Sequence, residues 1–247
     1  MTAALRSELL KLRTTRTFLG IVIAALALVG LIGGAMSAAA PFDEIESPGR
    51  DLIDVAGLLQ PFALVVGILA VSTEFRHGTI TPTILAVPNR VRLMLAKLGA
   101  HVLAGAALAI PAYALATLLV LIVLPARNVE AALSVGDATE MLAGGIVAVA
   151  LLAALGVGFG ALVRNQVGAV IAGLGWMFVV EPLLTALPTV GPEIETYGLN
   201  GSITAVTGST FGGGSDLSAL AGGLLLAGYA AILAAVGVYT LRRRDIG

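Results

Sequence analysis

Residues 18–40 read FLGIVIAALALVGLIGGAMSAAA, 23 consecutive positions without a charged side chain. As a helix rising about 1.5 Å per residue, this run is long enough to cross a hydrocarbon layer of about 30 Å. Five further runs of similar character follow, at about 55–73, 98–124, 141–163, 167–187 and 217–241. Backbone inside lipid has no water to bond to and must satisfy its own N–H and C=O groups, so each run is expected to be a helix. The chain therefore reads as an all-α membrane protein, one transmembrane domain over residues 1–247 with six spans. Composition points the same way. Of its 247 residues 58% are hydrophobic and 12% charged, about half the roughly 25% charge of an ordinary soluble domain. Kinks are expected at Gln60-Pro61 and Pro111, where proline removes a helical donor.

The first run, preceded by basic residues and ending in Ala38-Ala39-Ala40, has the outline of a secretory signal. Its length exceeds the ~7–15 residues of a signal core, so an uncleaved first span is expected.

Charge along the chain gives the orientation. With the N-terminus inside, twelve of the fourteen Lys and Arg fall on the cytoplasmic side, and only Arg50 and Arg127 fall outside. Eleven acids lie outside, three inside (Glu8, Glu74, Asp245), and Glu181 lies within a span. Under the positive-inside rule both termini are expected in the cytoplasm of a cell whose inner, or plasma, membrane holds the chain as a multi-pass protein.

Two segments on that side stand out. Residues 2–16 carry Leu5, Leu9 and Leu12 at helical spacing and are expected as a short interfacial helix, apolar face toward lipid and cations toward anionic headgroups. Glu8 and Lys11, three apart, can pair on one face of it. The loop after span two, EFRHGTITPTILAVPNR over residues 74–90, is too long and too apolar for a plain connection. Thr81 followed by Pro82 predicts a helix start, and Pro88 a stop about two turns later. Apolar Ile80, Ile84, Leu85 and Val87 on such a stub suit the groove of another protein, or an interfacial position against lipid.

Spans four and five are separated only by Arg164-Asn165-Gln166 and are expected as a tight hairpin. Gly156, Gly158 and Gly160 before the turn, and Gly168, Gly173 and Gly175 after it, permit close helix approach. Glu181 is an acid within a span, a pathway candidate by default because charge is costly in hydrocarbon. Pro182 after it also allows a structural place near the outer interface. The stretch 188–216 is generic, with a mildly apolar centre at Ile203-Thr204-Ala205-Val206 that suits partial re-entry from outside.

Much chemistry is excluded. There is no cysteine, hence no disulfide or thiolate ligand. There is no phosphate loop, no G-x-S-x-G and no H-E-x-x-H. His77 and His101 lack a ligand cluster, and the scattered basic residues argue against a nucleic-acid surface.

Glu8-x-x-Lys11 before span one, Glu74-Phe75-Arg76-His77-Gly78-Thr79 leaving span two, Pro88-Asn89-Arg90 and Lys97 entering span three, the glycine-rich 156–164 and the terminal Arg242-Arg243-Arg244-Asp245 together form a pattern. In that order it resembles the permease subunit of a type-2 ABC transporter, the membrane subunit of an exporter. The resemblance implies a six-helix subunit that is not itself an enzyme and binds no cofactor. It implies a second permease subunit, identical or not, and a separate cytoplasmic ABC ATPase carrying ATP and magnesium. By the same likeness residues 2–16, with Glu8 and Lys11, would be an elbow helix. Glu74, Arg76, His77, Gly78, Thr79, Pro88 and Arg90 would belong to the region that grips the ATPase. The rival readings are an ATPase-independent secondary transporter or channel, and a membrane scaffold. The absence of an inverted repeat between the chain's halves weighs against the transporter.

Overall fold

The computed structural model describes residues 2–163, 165–209 and 215–243, within which every regular element is helical. Arg164, residues 212–214, Arg244 and Asp245 lie outside the described residues. Six helices among those described are long and apolar enough to cross a membrane, the construction of a multi-pass membrane protein.

The chain begins with α1 (Thr2–Thr14) and α2 (Arg16–Ala39), the first span. The second span is composite: α3 (Pro48–Asp54), a 3₁₀ stretch (Val55–Leu59) and α4 (Gln60–Arg76) run in sequence. Pro61 sits in the first turn of α4, where its missing N–H has no helical partner to lose. The break expected at Gln60-Pro61 is thus a change of helix type, and the span reaches back to Pro48 rather than Val55. A short helix α5 (Ile80–Ala86) leads into α6 (Arg90–Ala126), 37 residues long and continuous through Pro111. Then come α7 (Val135–Leu162), α8 (Gln166–Gly175), a π-helical turn (Trp176–Val180) and α9 (Glu181–Thr185). Two short helices, α10 (Gly191–Tyr197) and α11 (Leu199–Thr207), precede the last span, α12 (Ala219–Arg243).

At the centre stands α7, packed on α4, α6, α11 and α12. Of its membrane-length window 61% is buried, against 17% for α2, so α7 is the core helix and α2 the most peripheral. Glycine makes this packing close. Gly156 meets Gly67 and the Leu64 carbonyl of α4, Gly160 meets Ile68, and a Cβ on Gly158 would stand 2.7 Å from the Ala234 backbone nitrogen of α12. The run at 156–160 therefore fits α7 between two neighbours. After the turn only Gly173 does similar work, against Ile68; Gly175 has nothing near it and Gly168 touches only its capping Asn165. The expectation of close approach fails at those two positions because they face away from α4.

Helix ends meet on two opposite faces. One holds α1, the end of α4, α5 and the start of α6. The other holds α3, the end of α6, and α9 to α11. On the second face α11 buries Ile203, Ala205 and Val206 against α7 and α12, so the mildly apolar stretch expected to re-enter packs into the bundle. The two arginines expected on this side tie its loops down. Arg50 donates to the Gly208 carbonyl (2.7 Å), and Arg127 donates to the Ser37 and Ala40 carbonyls (3.1 and 3.0 Å). Arg127 also lies 4.9 Å above the Phe42 ring.

Candidate functional site

Four of the residues quoted for the resemblance come together on the α1 face. Glu8 takes a hydrogen bond from Lys11 (2.7 Å) on one carboxylate oxygen and from Lys97 (3.1 Å) on the other. Glu74 Oε1 accepts from both lysines, each at 2.7 Å. Lys97 gives its third proton to the Ala70 carbonyl (3.2 Å), so all three ammonium donors are used. These are the chain's only two lysines. Lys97 is 2% exposed, Glu8 4% and Glu74 7%, a depth at which each charge would be expensive alone and is tolerable only in such a set. The cluster is a neutral clasp joining α1, the last turn of α4 and the first turns of α6.

For the residue of the clasp that lies on α1 and is most buried, Glu8, burial by itself would raise the carboxyl. Lys97 and Lys11 more than offset it, and Glu8 is held below the ordinary carboxylate value. At Lys11 burial would lower the ammonium, and the hydrogen bonds to Glu74 and Glu8 outweigh it, leaving it above the ordinary lysine value. One further turn into α6, His101 is buried and its Nδ1 meets the Lys97 carbonyl at 2.8 Å.

The inward face of α1 is thus centred on Glu8, with Leu5, Leu9 and Leu12 half-buried beside it. A leucine stripe laid on lipid was expected. The Glu8–Lys11 pair was also expected, but its tertiary partners were not.

The turn that follows explains the Glu-x-x-x-Gly-Thr spacing. Gly78 has φ +67°, a left-handed conformation that costs a side-chain-bearing residue about 1–2 kcal/mol. Its N–H reaches the Phe75 carbonyl (3.3 Å) and the Thr79 N–H reaches the Glu74 carbonyl (2.9 Å). These are the two bonds of a Schellman ending. The same motif that terminates α4 therefore fixes Glu74 within the clasp. His77 Nδ1 lies 2.9 Å from the Thr73 carbonyl and is otherwise exposed.

Helix α5 begins at Ile80 with Thr79 as its cap residue. The expected start at Thr81-Pro82 is two residues late, because the Schellman turn already presents the Thr79 carbonyl to Thr83 (backbone N–H 3.2 Å, hydroxyl 2.8 Å). Pro88 does end the helix, and Asn89 Oδ1 caps α6 by accepting from the Arg92 N–H (3.0 Å). Ile80 and Ile84 turn inward onto Leu93, with Phe75 and Val87 beside them. Of the four apolar residues read as a docking face, only Leu85 points out, 76% exposed. The outer face of α5 is Thr81, Pro82, Leu85 and Ala86, with Arg76, His77 and Pro88 exposed beside it. Arg76 donates to Gln166 of α8 (3.2 Å). Glu74 Oε2 and Arg90 Nη1 are buried without a hydrogen-bond partner.

On the opposite face Glu181 is 1% exposed. Trp176 Nε1 donates to one of its oxygens (3.1 Å) and the Asn200 N–H to the other (2.6 Å). Pro182 has no N–H for the carbonyl four residues before it, and the helix widens into the π turn just ahead of Glu181. The sequence pointed to the acid but not to Trp176 or Asn200, since the bonds bridge 5 and 19 residues.

No family model matches the chain, and no curated protein does. Among the described residues no group of three His, Cys, Asp or Glu could hold a metal ion.

Proposed function

We propose that this chain is the permease subunit of an ATP-driven ABC transporter, an exporter that pairs with a second permease subunit and couples to a separate cytoplasmic ATPase. The observation that carries the reading is the clasp. A helix lying outside the spans and the last turn of α4 meet the first turns of a 37-residue spanning helix through one buried ionic cluster, and the short surface helix α5, which follows that turn of α4, packs its isoleucines on Leu93 of the same long helix. A push on α5 reaches the bundle through its contact with Leu93 of α6 and through the turn that ties Thr79 to the Glu74 carbonyl. The unpartnered Glu74 Oε2 and Arg90 Nη1 add to this, since each such group costs about 1–3 kcal/mol and a rearrangement between α4 and α6 would relieve it. ATP binding and hydrolysis belong to the partner, and the permease pair rocks between inward- and outward-open states in response. Both termini, α1 and α5 are then cytoplasmic, as the basic residues argue.

The test is purification of the tagged protein in mild detergent. An ATPase should co-purify in stoichiometric amount and hydrolyse ATP. Leu85→Asp, on the outer face of α5, should lose the partner while keeping the thermal midpoint of the permease. Retention of the partner by Leu85→Asp sinks the placement of the docking face, and absence of any ATPase from the native preparation sinks the permease reading.

A further inference from the structure

A trough of about 370 Å³ runs between the first two spans, beginning beside the clasp. Its lining comes from α1, the start of α2 and one face of α4, with His101 of α6 and Gln166 of α8. On α4 the lining positions recur every three to four residues, from Val66, Leu69 and Ala70 through Thr73 to Arg76 and His77, over about 16 Å of helix. In that order the wall changes from apolar to cationic. The α2 wall changes in the same sense, from Ile21 and Phe18 to Thr17 and Thr15. At the polar end Lys11, Thr17, Arg76 and His77 are exposed, while at the other end Ile21 and Leu69 are half-buried and Val66 is buried. The trough thus has a wet mouth on the α1 face and an apolar floor within two spans.

Charge at the mouth is not balanced. Glu8 and Glu74 also line the trough, but Lys11 and Lys97 match them in the clasp, so that wall is neutral as a whole. Lys11 spends two of its three protons there and keeps one. Arg76 is different. Its hydrogen bond goes to the neutral amide oxygen of Gln166 (3.2 Å), and among the described residues no acid pairs with it. A guanidinium with five N–H donors and one neutral acceptor therefore stands over a hydrocarbon floor.

We infer that this trough binds one anionic diacyl phospholipid, its phosphodiester on Arg76 and an acyl chain laid between α2 and α4. Two phosphate oxygens match the fork of a guanidinium, and the remaining proton of Lys11 lies at the same mouth. Basic pockets between spans suit anionic headgroups in this way. A free phosphate leaves the apolar floor unused. A zwitterionic lipid brings a quaternary ammonium to a mouth that already holds Arg76 and Lys11. An anion that carries a tail satisfies both ends. The inference concerns the chain as a membrane protein and does not rest on the permease reading.

The probes are phosphatidylglycerol and phosphatidylcholine with the same acyl chains, added in equal amounts to the purified protein in detergent. Bound lipid is counted by native mass spectrometry. Wild-type protein should hold one phosphatidylglycerol about tenfold or more tightly than phosphatidylcholine, the scale of one charge-assisted contact. Arg76→Gln should bring the two lipids to within about threefold of each other. Thr17→Glu and Thr17→Gln are the decisive pair. Thr17 is an exposed wall residue in the first turn of α2, where an acid suits the helix, and neither change touches the clasp. The glutamate should weaken phosphatidylglycerol about tenfold or more, and the glutamine should keep it within about threefold. Millimolar inorganic phosphate should leave the bound lipid in place. Equal retention of the two lipids, wild-type phosphatidylglycerol affinity in Arg76→Gln or in Thr17→Glu, or displacement of the lipid by inorganic phosphate would each overturn the inference.

Discussion

The two faces of this molecule bury carboxylates in opposite ways. At the clasp, Glu8 and Glu74 are matched by Lys11 and Lys97, and the set is neutral. On the opposite face, Glu181 is held by an indole N–H and a backbone N–H. Charge that is matched inside the fold has its field spent on holding helices together. Charge oriented by neutral dipoles keeps its field available for something else.

The strongest way to break the comparison is to unbalance the clasp. Lys97→Met leaves two buried carboxylates with one half-exposed lysine, and removal of one partner from a buried set costs about 3–5 kcal/mol. The thermal midpoint of the purified protein should fall steeply, and an unchanged midpoint would mean that the cluster holds nothing. At Glu181 the analogous change is milder. Trp176→Phe removes one donor from Glu181 and keeps the ring, for an expected loss of about 1.5–3 kcal/mol, the scale of a hydrogen bond to a charged group. A loss as large as that of Lys97→Met would erase the distinction between the faces.

The smallest effect is the pH response. Glu8 is held below its unfolded value of about 4.3, so its contribution is present above that pH and is lost as pH falls through the folded value. Lys11 is held above its unfolded value of about 10.4, so its contribution is present below that pH and is lost as pH rises through the folded value. The clasp is therefore whole across the neutral range and weakens at both ends. Hydrogen exchange at the α1 amides should rise below about pH 4 in the native protein, and by less in Glu8→Gln. Equal rises in the two would remove Glu8 from the account.

Sequence and structure agree where one periodic signal decides the outcome. Each of the six spans is a long apolar run, and lipid leaves a helix as the only choice, so all six were legible. Their ends were not: α6 starts at Arg90 rather than Leu98 because Asn89 caps it and the polar first turns still bond internally. The Glu8–Lys11 pair was legible because a helix sets three-residue spacing by itself. Lys97 reads in the sequence as one of the cytoplasmic cations and as part of the resemblance, while its bonds to Glu8 and Glu74 span 89 and 23 residues, a closeness that tertiary packing alone creates. Likewise the stub after span two reads as apolar on paper, yet Ile80, Ile84 and Val87 are consumed by contact with Phe75 and Leu93.

The length of α6 has a further consequence. At about 1.5 Å per residue its 37 residues make a rod of about 55 Å, against a hydrocarbon layer of about 30 Å. Tilt alone does not absorb that difference within the usual range of up to about 40°, so part of the rod stands clear of the oil. Lys97 is fixed near one tip, and α3 packs along the same helix. Proline interrupts the ladder of backbone bonds midway at Pro111, where the carbonyl of Ala107 loses its helical donor. In the permease proposed above the helix would act as a pushrod, and the stiffness of the joint at Pro111 would set how much of a stroke begun at Lys97 arrives at the far end.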